Sequence, residues 1–154
     1  MKFVTLLPLL LTSALAIPVD VEMEERAVAS STVSFDPKFD VAGSSMTTVS
    51  CSDGVNGLIP KGYNTFGSLP SFPRIGGAPT IPGWNSPKCG TCYRLNYQAG
   101  SINKSIYMTA IDAAPGGFNI GKRAMNTLTN GQAEALGRVP ITYTAVDRKL
   151  CGFA

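Results

Sequence analysis

The chain has 154 residues, with 13 Lys or Arg against 10 Asp or Glu, no histidine, four cysteines, 16 glycines and 11 prolines. Without histidine there is no Ser-His-Asp or Cys-His nucleophile, and most zinc hydrolase sites are excluded as well. A charged fraction of 15% among so many turn formers suits a turn-rich extracellular domain rather than a helical bundle, and basic residues scattered singly from Lys38 to Lys149 exclude the concentrated patch of a nucleic-acid binder.

Met1 and Lys2 lead into an apolar run from Phe3 to Leu11 and the small-residue ending Thr12-Ser13-Ala14-Leu15-Ala16. These are the three parts of a secretory signal peptide, read here as residues 1–16 with cleavage after Ala16. A transmembrane helix needs about 20 apolar residues, more than this run offers. Residues 17–30 carry Asp20, Glu22, Glu24 and Glu25 against Arg26 with no aromatic. They read as a pro-segment or mobile N-terminal extension. Residues 31–154 remain as one domain.

Within that domain short strand signals dominate. Met46–Cys51 is rich in Thr and Val, and Thr91–Gln98 alternates so that Tyr93, Leu95 and Tyr97 share a face. Lys104–Asp112 and Val139–Asp147 read as further strands, the latter with Val139, Ile141, Tyr143 and Ala145 on one side and Pro140 at its entry or at an edge. Between Gly54 and Lys88 prolines and glycines leave a long region of turns, the kind of loop that builds binding surfaces. Helix signals fall once, between Gly121 and Gly137. A capping box at Thr129-Asn130-Gly131-Gln132 predicts a helix to Leu136 stopping at Gly137, and a preceding turn packs Ala124, Met125 and Leu128 inward. The order predicts a small β-barrel or sandwich with short helices.

Cys51, Cys89, Cys92 and Cys151 are an even set in an exported chain, which predicts two disulfides and leaves three pairings open. Cys89-Gly90-Thr91-Cys92 lacks both the βαβ setting of a redox motif and a second ligand pair for zinc, so its role is structural. Gly76-Gly77 and Gly116-Gly117 lack the context of a phosphate loop. No metal and no cofactor is expected.

The carboxylates left for chemistry are Asp36, Asp40, Asp53, Asp112, Glu134 and Asp147. Asp36 and Asp40 fall near a frayed start, Glu134 faces outward on a helix, and Asp147 beside Arg148-Lys149 is paired or solvated. Asp53 and Asp112 each end a strand signal and open a Gly-rich turn, which places them in a cleft or makes them turn caps. Glycoside hydrolysis needs two carboxyls at about 5–5.5 Å or 6.5–9.5 Å. Loop residues Tyr63, Phe66, Phe72, Trp84 and Asn85, with Phe118 and Asn119, supply the aromatic faces and amides that sugars require. Asn103-Lys104-Ser105 is a glycosylation sequon.

Three stretches carry a family resemblance: Cys51-Ser52-Asp53-Gly54 with Asn56-Gly57-Leu58, then Gly83-Trp84-Asn85-Ser86-Pro87-Lys88-Cys89-Gly90-Thr91-Cys92, then Ala110-Ile111-Asp112 followed by Gly117-Phe118-Asn119. With Gly131-Gln132-Ala133 and Gly137-Arg138-Val139, the stretch from Ser31 to Cys151 resembles the cerato-platanin family of fungal secreted proteins. The resemblance implies a six-stranded double-ψ β-barrel similar to expansin and barwin domains, with disulfides Cys51–Cys89 and Cys92–Cys151. It also implies binding of chitin and N-acetylglucosamine oligomers, loosening of cellulose without hydrolysis, and elicitation of plant defence or phytotoxicity. On that pattern the expansin-like aspartate falls on Asp112 and a second acid on Asp53. Pro140, and Ala113 directly after Asp112, depart from the usual pattern.

The expected protein is thus a monomeric, extracellular, non-catalytic polysaccharide binder, in part held at the fungal wall, with a plant receptor as a further partner. Its carbohydrate-binding residues are Asp53, Tyr63, Trp84, Asn85, Asp112 and Asn119. The alternatives are a weak glycoside hydrolase using Asp112 with Asp53, and a purely signalling or surface-active protein.

Overall fold

A computed structural model describes residues 27–154; the signal-peptide reading of residues 1–16, and the acidic extension up to Arg26, lie outside the described residues. Six strands close a barrel in the order β1-β5-β2-β4-β3-β6. They are β1 (Ala29–Phe35), β2 (Ile75–Ala78), β3 (Cys92–Ala99), β4 (Ile102–Ala113), β5 (Phe118–Ile120) and β6 (Val139–Val146). Two pairs are parallel, β1 with β5 and β2 with β4, and the remaining four are antiparallel. This mixed, closed barrel with short helices and two disulfides is the expected fold class, and closure leaves no strand edge open.

The alternating patterns do what their period dictates. Tyr93, Leu95 and Tyr97 of β3 are buried, as are Val139 and Ile141 of β6, while Tyr143 and Ala145 are half-buried. Pro140 is exposed and pairs with Thr32 of β1, so it marks a strand entry rather than an edge. Tyr93, Phe118 and Tyr143 meet edge-on in the core, with centroids 4.8 to 5.8 Å apart.

Several expectations are corrected. Met46–Cys51 is not a strand: Met46–Thr48 makes a 3-10 turn whose start is capped by the Ser45 hydroxyl. The turn-rich middle contains β2, whose Ile75-Gly76-Gly77-Ala78 is buried at every residue. Such a strand is hidden from periodicity because two of its four residues have no side chain. A Cβ at Gly76 would stand 2.2 Å from the carbonyl oxygen of Asn119, so close strand approach requires glycine there. β5, at three residues, is too short to carry a pattern. β1 begins at Ala29, two residues inside the segment read as an extension.

The helical excursion holds two helices, α1 (Lys122–Thr129) and α2 (Ala133–Leu136). Ala124, Met125 and Leu128 pack inward as expected, and α2 ends at Gly137 with φ +68°. The capping box does not form. Thr129 belongs to the last turn of α1, where its buried hydroxyl donates to the Met125 carbonyl, and the amide of Ala133 is satisfied by Asn126 Oδ1 instead. Asp36 and Asp40 are not at a frayed start. Asp36 caps a 3-10 turn through the Lys38 amide, and Asp40 accepts from the amides of Lys122 and Arg123, capping α1.

Candidate functional site

Cys51-Ser52-Asp53-Gly54 turns sharply, with Gly54 at φ +81°. A Cβ on Gly54 would lie 2.6 Å from Asn85 Oδ1 and 3.0 Å from the Trp84 ring, so only glycine lets the two loops close together. Trp84 Nε1 donates to Asp53 Oδ1 at 2.7 Å, and the Ser52 hydroxyl donates to the same oxygen at 3.2 Å. These donors, Trp84 first, hold the Asp53 carboxyl below its ordinary value of 3.8. Asn85, at φ +58°, accepts the Asn56 amide on Oδ1 at 2.9 Å and the Asn56 side chain on its carbonyl at 3.0 Å. The Cys51–Cys89 disulfide ties the two loops covalently.

The result is one constellation of Asp53, Asn56, Trp84 and Asn85. Trp84 is 63% exposed, the opposite of a core tryptophan. Its indole is gripped by the N–H edge while much of the ring stays in solvent, and Val55, 82% exposed, lies in the adjoining turn.

The other expected site residues are distributed. Asp112, at the end of β4, accepts the amides of Ser50 and Ala113 on Oδ1, both at 2.9 Å, and its Oδ2 lies 4.0 Å from Lys38 Nζ. It pins the segment entering Cys51 to the barrel, helped by the bond from the Cys51 amide to the Ile111 carbonyl. No hydrogen bond joins Asp112 to Asp53 among the described residues. Asn119 and Asp112 are both register partners of Gly77, which lies between them in the sheet. Asn119 accepts from the Ser34 hydroxyl, which in turn accepts from Arg138. Tyr63 packs edge-on against Phe153 at 5.4 Å and lines a different surface, a cleft of about 840 Å³.

Two aromatics considered for sugar contact are core residues: Phe66 is 2% exposed and Phe118 fully buried. Phe72 is half-buried against the core. Asn103 is exposed near the hairpin end of β4, opposite Gln98. Glu134 faces outward as expected and pairs with Lys122, which lowers its pKa. Asp147 is exposed and caps the next turn through the Lys149 amide. Sequence reasoning missed Lys38, Ser50 and the role of Asn56; the first two bear no local signal, since long-range folding alone brings them to Asp112. Among the described residues no group of three His, Cys, Asp or Glu stands close enough together to hold a metal.

Both disulfides pair as the resemblance implied, Cys51 with Cys89 and Cys92 with Cys151. Residues 31–153 match the Cerato-platanin family model. The chain is 57% identical over 154 residues to Allergen Asp f 15 of Aspergillus fumigatus, covering 98% of this chain and 97% of that one. It is 42% identical over 120 residues to Cerato-platanin of Ceratocystis fimbriata f. sp. platani, covering 77% and 84%. Among solved structures, cerato-platanin 2 from M. perniciosa superposes with a TM-score of 0.77 at 44% identity, covering 81% of this chain and all of that one. The solution structure titled as the fungal elicitor Cerato-Platanin gives 0.69 at 40% identity, covering 78% and 95%. The chain belongs to the cerato-platanin family.

Proposed function

We propose that this is a secreted, non-hydrolytic protein that binds chitin or N-acetylglucosamine oligomers and loosens cell-wall polysaccharide, and that plants perceive it as an elicitor or phytotoxin. The observation that carries the reading is the exposed Trp84 indole held at its edge by Asp53, with Asn85 alongside. A fixed apolar ring flanked by an acceptor and an amide suits a sugar, whose ring face is apolar and whose rim is hydroxyl. Asp53 is kept ionised by its donors, so it accepts hydrogen bonds from hydroxyls and makes a poor general acid. A glycosidase acid needs the reverse, a raised pKa. Asp112 spends one carboxylate oxygen on two backbone amides, which gives it a structural load alongside any sugar contact. The elicitor reading draws on the structural neighbour whose title calls it a fungal elicitor.

Titration of the mature domain with N-acetylglucosamine oligomers of increasing length, followed residue by residue in NMR spectra, tests the site. Shifts should cluster at Asp53, Trp84 and Asn85; silence there ends the assignment. Reducing sugar released from chitin or cellulose, and lost in Asp112→Asn, would replace binding with hydrolysis. Defence responses that survive a groove variant unable to bind oligomers would make perception independent of sugar.

A further inference from the structure

The cleft beside Tyr63 has a construction of its own. One wall comes from the turn after Leu58 and carries Lys61 and Tyr63; the other is the closing turn with Arg148, Lys149 and Phe153. The floor is Cys89-Gly90-Thr91-Cys92. Each wall is stapled to that floor by a different disulfide. Cys89 bonds to Cys51, whose carbonyl accepts the Leu58 amide at 3.0 Å, and Cys92 bonds to Cys151 in the closing turn. The floor is itself clamped to β4, with Gly90 donating to the Ala110 carbonyl and Ala110 to the Thr91 carbonyl, at 2.8 and 3.0 Å. A cleft of about 840 Å³ framed in this way is pre-formed and of small-ligand size.

Its side-chain charge is predominantly positive. Lys61, Arg148 and Lys149 line it, and among the described residues none of them pairs with a carboxylate. The one side-chain carboxylate there, Asp147, is engaged as a cap by the Lys149 amide at 2.9 Å. Arg148 also lies 5.5 Å from the Phe153 ring centroid, which keeps the guanidinium at the cleft. Lys61 comes from one loop and Arg148 and Lys149 from another. Cations drawn from two loops fit charges repeated along a chain better than a single phosphate. The half-buried Tyr63, also in the lining, adds an aromatic surface.

We propose that this cleft is a second binding site, for an acidic oligosaccharide of the uronate type, with sugar carboxylates on Lys61, Arg148 and Lys149 and a ring against Tyr63. It shares no side chain with the Asp53–Trp84 constellation, so the two sites stand or fall separately.

The test is titration of the mature protein with a tetramer of galacturonic acid, by calorimetry and by NMR, beside a tetramer of N-acetylglucosamine. The acidic tetramer should shift Tyr63, Thr91 and Phe153 and leave Trp84 still. The double variant Lys61→Gln with Lys149→Gln removes two exposed cations that hold no partner, and should weaken acidic binding by about tenfold or more while the neutral tetramer is unaffected. Equal affinity in the double variant, or no shift at Thr91 and Phe153, overturns the proposal. Inorganic phosphate, a DNA oligomer or acidic-lipid vesicles displacing the tetramer at matched ionic strength and charge would also overturn it, reducing the site to general anion attraction.

Discussion

Trp84 Nε1 and Asp53 Oδ1 stand 2.7 Å apart across 31 residues of sequence, and Trp84 is the only tryptophan in the chain. Indole fluorescence therefore reports this one contact. A carboxyl whose folded pKa is depressed contributes fully above its ordinary value and loses that contribution as pH falls through the lowered one. The midpoint of the emission change should fall below 3.8. Asp53→Asn should abolish the transition. Trp84→Phe should let the Asp53 carboxyl rise toward 3.8 in NMR titration, because its largest stabilising donor is gone. A fluorescence midpoint at or above 3.8 in the native protein would contradict the pairing.

Replacing Asp112 by Ala tests two roles at once. It strips the amides of Ser50 and Ala113 of their acceptor, which should cost about 1–3 kcal/mol in urea unfolding. Asp112→Asn keeps an oxygen in place and should retain most of that stability. Loss of polysaccharide loosening in the Ala variant alone would then report folding, while loss in both variants at preserved melting temperature would report contact with sugar.

Trp84 and Phe118 should separate binding from stability. Trp84→Ala removes an exposed ring and should change stability by less than about 1 kcal/mol while ending the response to N-acetylglucosamine oligomers. Phe118→Ala opens a cavity beside Tyr93 and Tyr143 and should cost about 3–5 kcal/mol. Both are read by denaturant unfolding together with the NMR titration.

The two disulfides close loops of 38 and 59 residues, so chain entropy assigns each about 4 kcal/mol. Paired Cys→Ala variants should therefore lose comparable stability. Their local effects should differ. Without Cys51–Cys89 the Asp53 and Trp84 loops are no longer joined covalently, and hydrogen exchange should quicken there first. Without Cys92–Cys151 it should quicken in the closing turn around Arg148–Cys151.

Much of the barrel was legible because alternation in β3 and β6, the strand composition of β4 and the inward stripe of α1 are local consequences of burial. The three strands that complete it were not, β1 because it starts inside the segment read as an extension. β2 reads as a turn because Gly76-Gly77 is selected for close backbone approach, and β5 is only three residues long. The Thr129 box failed because Thr129 belongs to the last turn of α1, its hydroxyl turned back to the Met125 carbonyl. By itself, the sequence determined the four-cysteine framework, the absence of histidine chemistry, the family pattern and the main strands, all carried by residue type and short-range spacing. Tertiary structure alone decided which residues meet. It turned Trp84 outward onto Asp53, buried Phe66 and Phe118, gave Asp112 to Ser50 and Lys38, and set Tyr63 in a separate basic cleft. Those outcomes depend on closing a barrel between segments tens of residues apart, and no local pattern encodes such distances.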